Sequence, residues 1–96
     1  MEIEKRIKDT IYKYVSPSEY QVFLFGSRAT GNNAKWSDFD VGIMGREALP
    51  YSKLERIEGE LEESNIPFMV DIVDFARVSD KFKRIALGKI IPWTRS

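Results

Sequence analysis

The sequence predicts a small α/β (α+β) fold: a mixed sheet of three to four strands backed by helices. Three observations lead there. Apolar runs of strand length stand at 20–25, 38–44 and 67–75, bounded by turn formers. Amphipathic stretches with helical spacing lie around them. The chain of 96 residues is read as one domain, 1–96, without a repeat, linker or low-complexity stretch.

The elements follow in order. Residues 2–14 place Ile3, Ile7 and Ile11 one helical turn apart among charged neighbours, which predicts a helix. "SPSE" at 16–19 stops it, because proline cannot continue a helix and restricts the residue before it. "YQVFLF" (20–25) reads as a buried strand. Gly26-Ser27 is a sharp turn, and "SRAT" begins a short helix with Ser27 as its expected cap. "GNNAKWS" (31–37) is loop, and "DFDVGIM" (38–44) is a second strand. A long helix starting near Pro50 carries Leu54, Ile57 and Leu61 on one face. "PFMVDIVDF" (67–75) is the third strand. Ser79 is expected to cap a last helix that turns Phe82, Ile85 and Ala86 inward and ends at Gly88, and "KIIPW" offers a short edge strand.

Composition narrows the chemistry. The chain has no cysteine and no histidine, which excludes disulfides, thiolate zinc, Ser-His-Asp triads and any imidazole acid or base. Catalysis must use carboxylates, Lys, Arg, hydroxyls, backbone amides or a borrowed metal. Fifteen basic residues balance fifteen acidic ones, so no direct nucleic-acid binding is expected. The charged N-terminus is unlike a signal peptide, and no run approaches a membrane span. A cytoplasmic setting without membrane contact is the expectation.

The acids carry the chemical question. Strand side chains alternate faces, so Asp38 and Asp40 project together. Asp71 and Asp74 differ in parity, and only one of them can join the pair. Asp71, mid-strand between Val70 and Ile72, is the expected third member, while Asp74 reads as a solvated strand end. Two carboxylates about 4 Å apart repel by about 4 kcal/mol at an effective dielectric of 20. Clustered acids therefore call for cations, and oxygen ligands select hard ions such as Mg²⁺ or Mn²⁺. Taken alone, the acids are equally consistent with separate, solvated positions.

The glycine turn tips that balance. A tight turn from strand to helix presents backbone N–H groups to an anion, and the Ser27 hydroxyl adds a donor. A phosphate site beside a metal site suits a nucleoside triphosphate. "GSRATGNN" is not a Walker A loop, since Asn32-Asn33 replace the Lys-Ser/Thr. "DFDVGIMGREAL" is not an EF-hand loop, since Gly42 takes its fifth position and no glutamate closes it.

Gly26-Ser27, ten intervening residues and Asp38-Phe39-Asp40 resemble the signature of the DNA polymerase β-like nucleotidyltransferases, most of all their minimal branch. The likeness spans nearly the whole chain, with "VDIVD" on the third strand. Thr30 departs from many relatives, which carry a basic residue there, and Arg28 is the available substitute. The resemblance implies a nucleotidyltransferase fold that binds ATP with two Mg²⁺ (or Mn²⁺) and moves AMP to a hydroxyl, releasing pyrophosphate. It implies that Gly26, Ser27 and Arg28 bind the nucleotide, and that Asp38, Asp40 and Asp71 are both metal ligands and catalytic residues. Lys35 is a further candidate phosphate contact, and Trp36 a candidate base stack or core residue.

Minimal members are commonly paired with a small helical HEPN-domain protein, a ribonuclease toxin that they neutralise by adenylylating a tyrosine. The resemblance therefore implies a hetero-oligomeric antitoxin enzyme. Two other readings stay open at this point: an antitoxin that works by contact alone, and a nucleotidyltransferase for a small-molecule acceptor.

Overall fold

The computed structural model describes residues 2–31 and 38–94. The candidates Lys35 and Trp36 lie outside them. The element order is α1 (Glu2–Tyr12), β1 (Tyr20–Phe25), α2 (Ser27–Thr30), β2 (Phe39–Gly45), α3 (Tyr51–Glu63), β3 (Val70–Asp74), α4 (Asp80–Ala86) and β4 (Ile91–Pro92). The strands form one mixed sheet in the order β3-β2-β1-β4. β1 runs antiparallel to β2 and β4, whereas β2 and β3 are parallel.

Alternation divides the strand residues between two faces. On one, Val22, Leu24, Phe39, Val41, Ile43 and Ile72 meet Ile7 and Ile11 of α1 and Ile57 and Leu61 of α3 in the main core. Burying each such side chain contributes about 1.5–3 kcal/mol, so this face holds the fold together. Tyr14 Oη donates to Glu60 at 2.7 Å, and Lys13 pairs with the same carboxylate, joining the end of α1 to α3. Both contacts hold the Glu60 carboxyl below its usual range, Lys13 contributing most.

The opposite face carries a smaller aromatic cluster of Phe23, Phe25 and Phe75, with Met44, Val73, Ala86 and Leu87 packed at its edge. Gly42 makes room for it. A Cβ there would stand 2.4 Å from the Phe23 ring and 2.7 Å from the Phe75 ring.

Three expectations change on contact with the structure. Ser27 does not cap α2: it is the helix's first residue, the cap position is Gly26, and no side chain caps it. Ser79 does cap α4, accepting from the Phe82 N–H at 3.1 Å, yet α4 has no buried residue. Phe82 is 40% exposed and Ile85 71%, so they are not turned fully inward. Helical spacing defines an apolar stripe but not whether anything covers it. The third strand is shorter than 67–75, although the Phe39 N–H still donates to Met69 O at 2.9 Å just ahead of β3.

Candidate active site

The parallel pairing of β2 with β3 sets Asp40 opposite Asp71. Neighbouring strands lie about 4.8 Å apart, so the two carboxylates leave the sheet side by side on the aromatic face. Asp38 sits immediately before β2 and shares the parity of Asp40. Asp38 and Asp71 are exposed and Asp40 is half-buried. The Asp40 carboxyl is pushed above its usual range by burial first, then by the Asp71 and Asp38 charges. Asp40 thus feels the charge of both acids expected beside it. Among the described residues no three acidic side chains already stand close enough together to hold a metal ion.

Gly26 closes the site from the side. On the antiparallel neighbour, Phe25 pairs with Asp40, and the chain turns immediately after it. Gly26 has φ 73°, a conformation that L side chains rarely adopt. A Cβ on it would stand 2.4 Å from Asp40 Oδ2. Backbone angle and carboxylate both require glycine here. The Gly26 carbonyl accepts from the N–H groups of Ala29 and Thr30, which fixes the turn of α2 beside the acids.

Arg28, expected at the nucleotide, stacks its guanidinium over the Phe39 ring at 3.9 Å and lies 5.1 Å from the Phe68 ring. That contact anchors α2 to the start of β2.

Asp74 overturns its reading as a solvated strand end. It is 5% exposed. Its Oδ2 accepts from the Leu49 N–H at 2.7 Å and its Oδ1 from the Ala76 N–H at 3.0 Å. Arg77 Nε stands 3.4 Å from Oδ2, and Arg77 Nη2 donates to Leu49 O at 2.8 Å. The same guanidinium lies 3.8 Å over the Tyr51 ring. This carboxylate is a structural clamp between the end of β3 and the segment leading into α3. A signal for it was present, because Asp74 shares the parity of Val70 and Ile72, whose face is the core.

Sequence reasoning also passed over Glu58 on α3. Its carboxyl is pushed upward by partial burial, then by the Asp71 charge, then by Glu62 and Glu55. Its helical position gave no hint of proximity to a strand acid.

Residues 5–91 match the family model described as polymerase beta, nucleotidyltransferase. Over 82 residues the chain is 37% identical to a probable protein adenylyltransferase MntA of Haemophilus influenzae, covering 85% of this chain and 71% of that protein. Two solved structures share its fold at lower identity. A toxin–antitoxin with AMP-PNP superposes with TM-score 0.74 at 19% identity, over 97% of this chain and 74% of that one. A tri-AMPylated Shewanella oneidensis HEPN toxin in complex with MNT antitoxin gives 0.62 at 18% identity, over 96% and 73%.

Proposed function

This chain belongs to the polymerase β nucleotidyltransferase family, and from that premise we propose that it transfers AMP from ATP to a hydroxyl of a HEPN-type partner protein, a tyrosine in the first instance, acting as the antitoxin of the pair in the cytoplasm. The observation that carries the proposal is the Asp40–Asp71 register beside a glycine that only a bare backbone could occupy. The 37% identity to a probable protein adenylyltransferase supports the acceptor class. The solved complex of similar fold with a HEPN toxin supports a HEPN partner.

Asp38, Asp40 and Asp71 would hold Mg²⁺, or Mn²⁺. The fit rests on an all-oxygen donor set and on the like charge that Asp71 and Asp38 add, after burial, to the raised Asp40 carboxyl, which a cation relieves. Bound ions supply Lewis acidity, offsetting phosphate charge and making the acceptor hydroxyl a better nucleophile. The chain's own contribution is position. Gly26 lets the triphosphate approach the backbone, and Ser27 donates its hydroxyl to a phosphate oxygen. Arg28, held against Phe39, brings positive charge to the same turn. Asp71 accepts the proton of the attacking hydroxyl. The hydroxyl oxygen bonds to the α-phosphorus as the bond to pyrophosphate breaks, leaving AMP on the acceptor.

The test mixes the chain with its helical partner, ATP and Mg²⁺, and reads the partner's intact mass and ribonuclease activity. Mass should rise by one or more AMP units while ribonuclease activity falls in step, and Asp40→Asn should abolish both changes. Silencing by the Asp40→Asn protein without a mass gain would favour inhibition by contact. Rapid modification of small molecules without the partner would move the acceptor out of the protein class.

A further inference from the structure

Beside the acids, on the same face of the sheet, a slot of about 340 Å³ opens between the turn into α2 and α4. Its size is at the low end for ligand sites, suited to part of a ligand rather than a whole nucleotide. Phe25 and Phe82 form aromatic walls, meeting at 6.1 Å and nearly perpendicular, and Ile85 forms the rim. The slot's other end is Gly26, whose missing side chain leaves room for the Asp40 carboxylate. One residue therefore belongs to both the acid site and the slot.

We propose that this slot is the nucleobase subsite of the nucleotidyl transfer proposed above, and that it selects purines over pyrimidines by stacking while distinguishing adenine from guanine poorly. The inference rests on that reading and adds base preference to it. Continuity is the first argument: beyond Gly26 the face that carries the acids continues into the Phe25 and Phe82 rings, where a ligand with its phosphates at Gly26 can lay a flat, apolar end. The second argument is the open apolar surface itself. α4 buries none of its residues, and Phe82 and Ile85 stay exposed until something flat covers them.

The polar content of the lining sets the selectivity. Thr30 Oγ1 donates to Ser27 O at 3.1 Å, so its single proton is engaged within α2. Lys89 at the mouth has donors only. Among the described residues the lining side chains offer no fixed donor–acceptor pair to read the amino or oxo groups that separate adenine from guanine. Stacking on aromatic rings tolerates any base and grows with ring area.

The test measures affinity of the full chain, in Mg²⁺, for ATP, GTP, UTP and inorganic tripolyphosphate by NMR titration, with Phe82→Ala and Ile85→Ser alongside. ATP and GTP should bind within about five-fold of each other and roughly ten-fold or more tighter than tripolyphosphate, with UTP between. Both variants should bring ATP towards the tripolyphosphate affinity and leave tripolyphosphate unchanged. Ile85 is mostly exposed, so its variant keeps the fold even if Phe82→Ala loosens α4. Unchanged ATP affinity in Ile85→Ser and Phe82→Ala, or UTP binding as tightly as ATP, would overturn the base subsite while leaving the transfer reading standing. Failure of both ATP and tripolyphosphate to bind would instead overturn the transfer reading and the subsite with it.

Discussion

Asp71 and Asp74 lie on the same five-residue strand, and their surroundings are opposite. Asp71 is exposed, on the face where it meets Asp40 in register. Asp74 is buried on the core side, with two backbone N–H groups and a guanidinium turned towards it. One carboxylate is surrounded by like charge and the other by donors. Identity of residue therefore says little about role, and parity on the strand says much: donors make a buried acid stabilising, and like charge marks a place where a cation belongs.

The largest expected effect falls on the exposed acid. Asp71→Asn should lower AMP transfer by about a thousand-fold, the rate equivalent of several kcal/mol of lost charge stabilisation, with little change in urea midpoint. A thousand-fold loss accompanied by unfolding would erase the contrast with Asp74.

Next comes the clamp. Asp74→Ala should cost about 3–5 kcal/mol in urea denaturation, because the Leu49 and Ala76 N–H groups and Arg77 all lose their acceptor. Activity per folded molecule should persist. A loss of transfer in fully folded Asp74→Ala protein would place this acid in the chemistry after all.

Ser79→Ala sharpens the same comparison. Its hydroxyl also accepts a backbone N–H, but on an exposed helix, so the cost should be about 1 kcal/mol. A cost equal to that of Asp74→Ala would mean that burial does not set the difference.

The smallest effect is a pH trend at Asp40. Its folded carboxyl titrates above the ordinary 3.8, so its stabilising contribution is complete below 3.8 and lost as pH rises through the raised value. Without divalent ions, Asp40→Asn should melt slightly above the wild type at pH 7, and the gap should close as pH falls towards 3.8. A gap that widens on acidification would reverse the sign of the argument.

The comparison also explains what could be read from the chain beforehand. β1 came out residue for residue, because an apolar run between "SPSE" and Gly26 has sharp ends. The meeting of Asp40 with Asp71 followed from parity, given neighbouring strands. The Asp74 clamp did not, because its donor Leu49 is 25 residues away and enters through a loop whose path no periodicity describes. Phe82 and Ile85 were misread for a related reason: spacing orients a helix face, while cover depends on what packs there. Arg28 was expected at phosphate, and its stacking on Phe39 depends on the tertiary approach of α2 to β2.

The parallel pairing of β2 and β3 has a consequence for how the molecule is made. β1 and β2 are antiparallel and consecutive in the sheet, so they can pair early. β3 can dock only after α3 has carried the chain back along the sheet, and closing that longer path is slow compared with pairing the first two strands. A chain emerging from the ribosome thus completes its hairpin-like half while Asp40 is still without Asp71. The candidate site exists only once that closure is made, against the repulsion of two acids. Refolding should therefore quicken when divalent ions are present, at the step that seats β3.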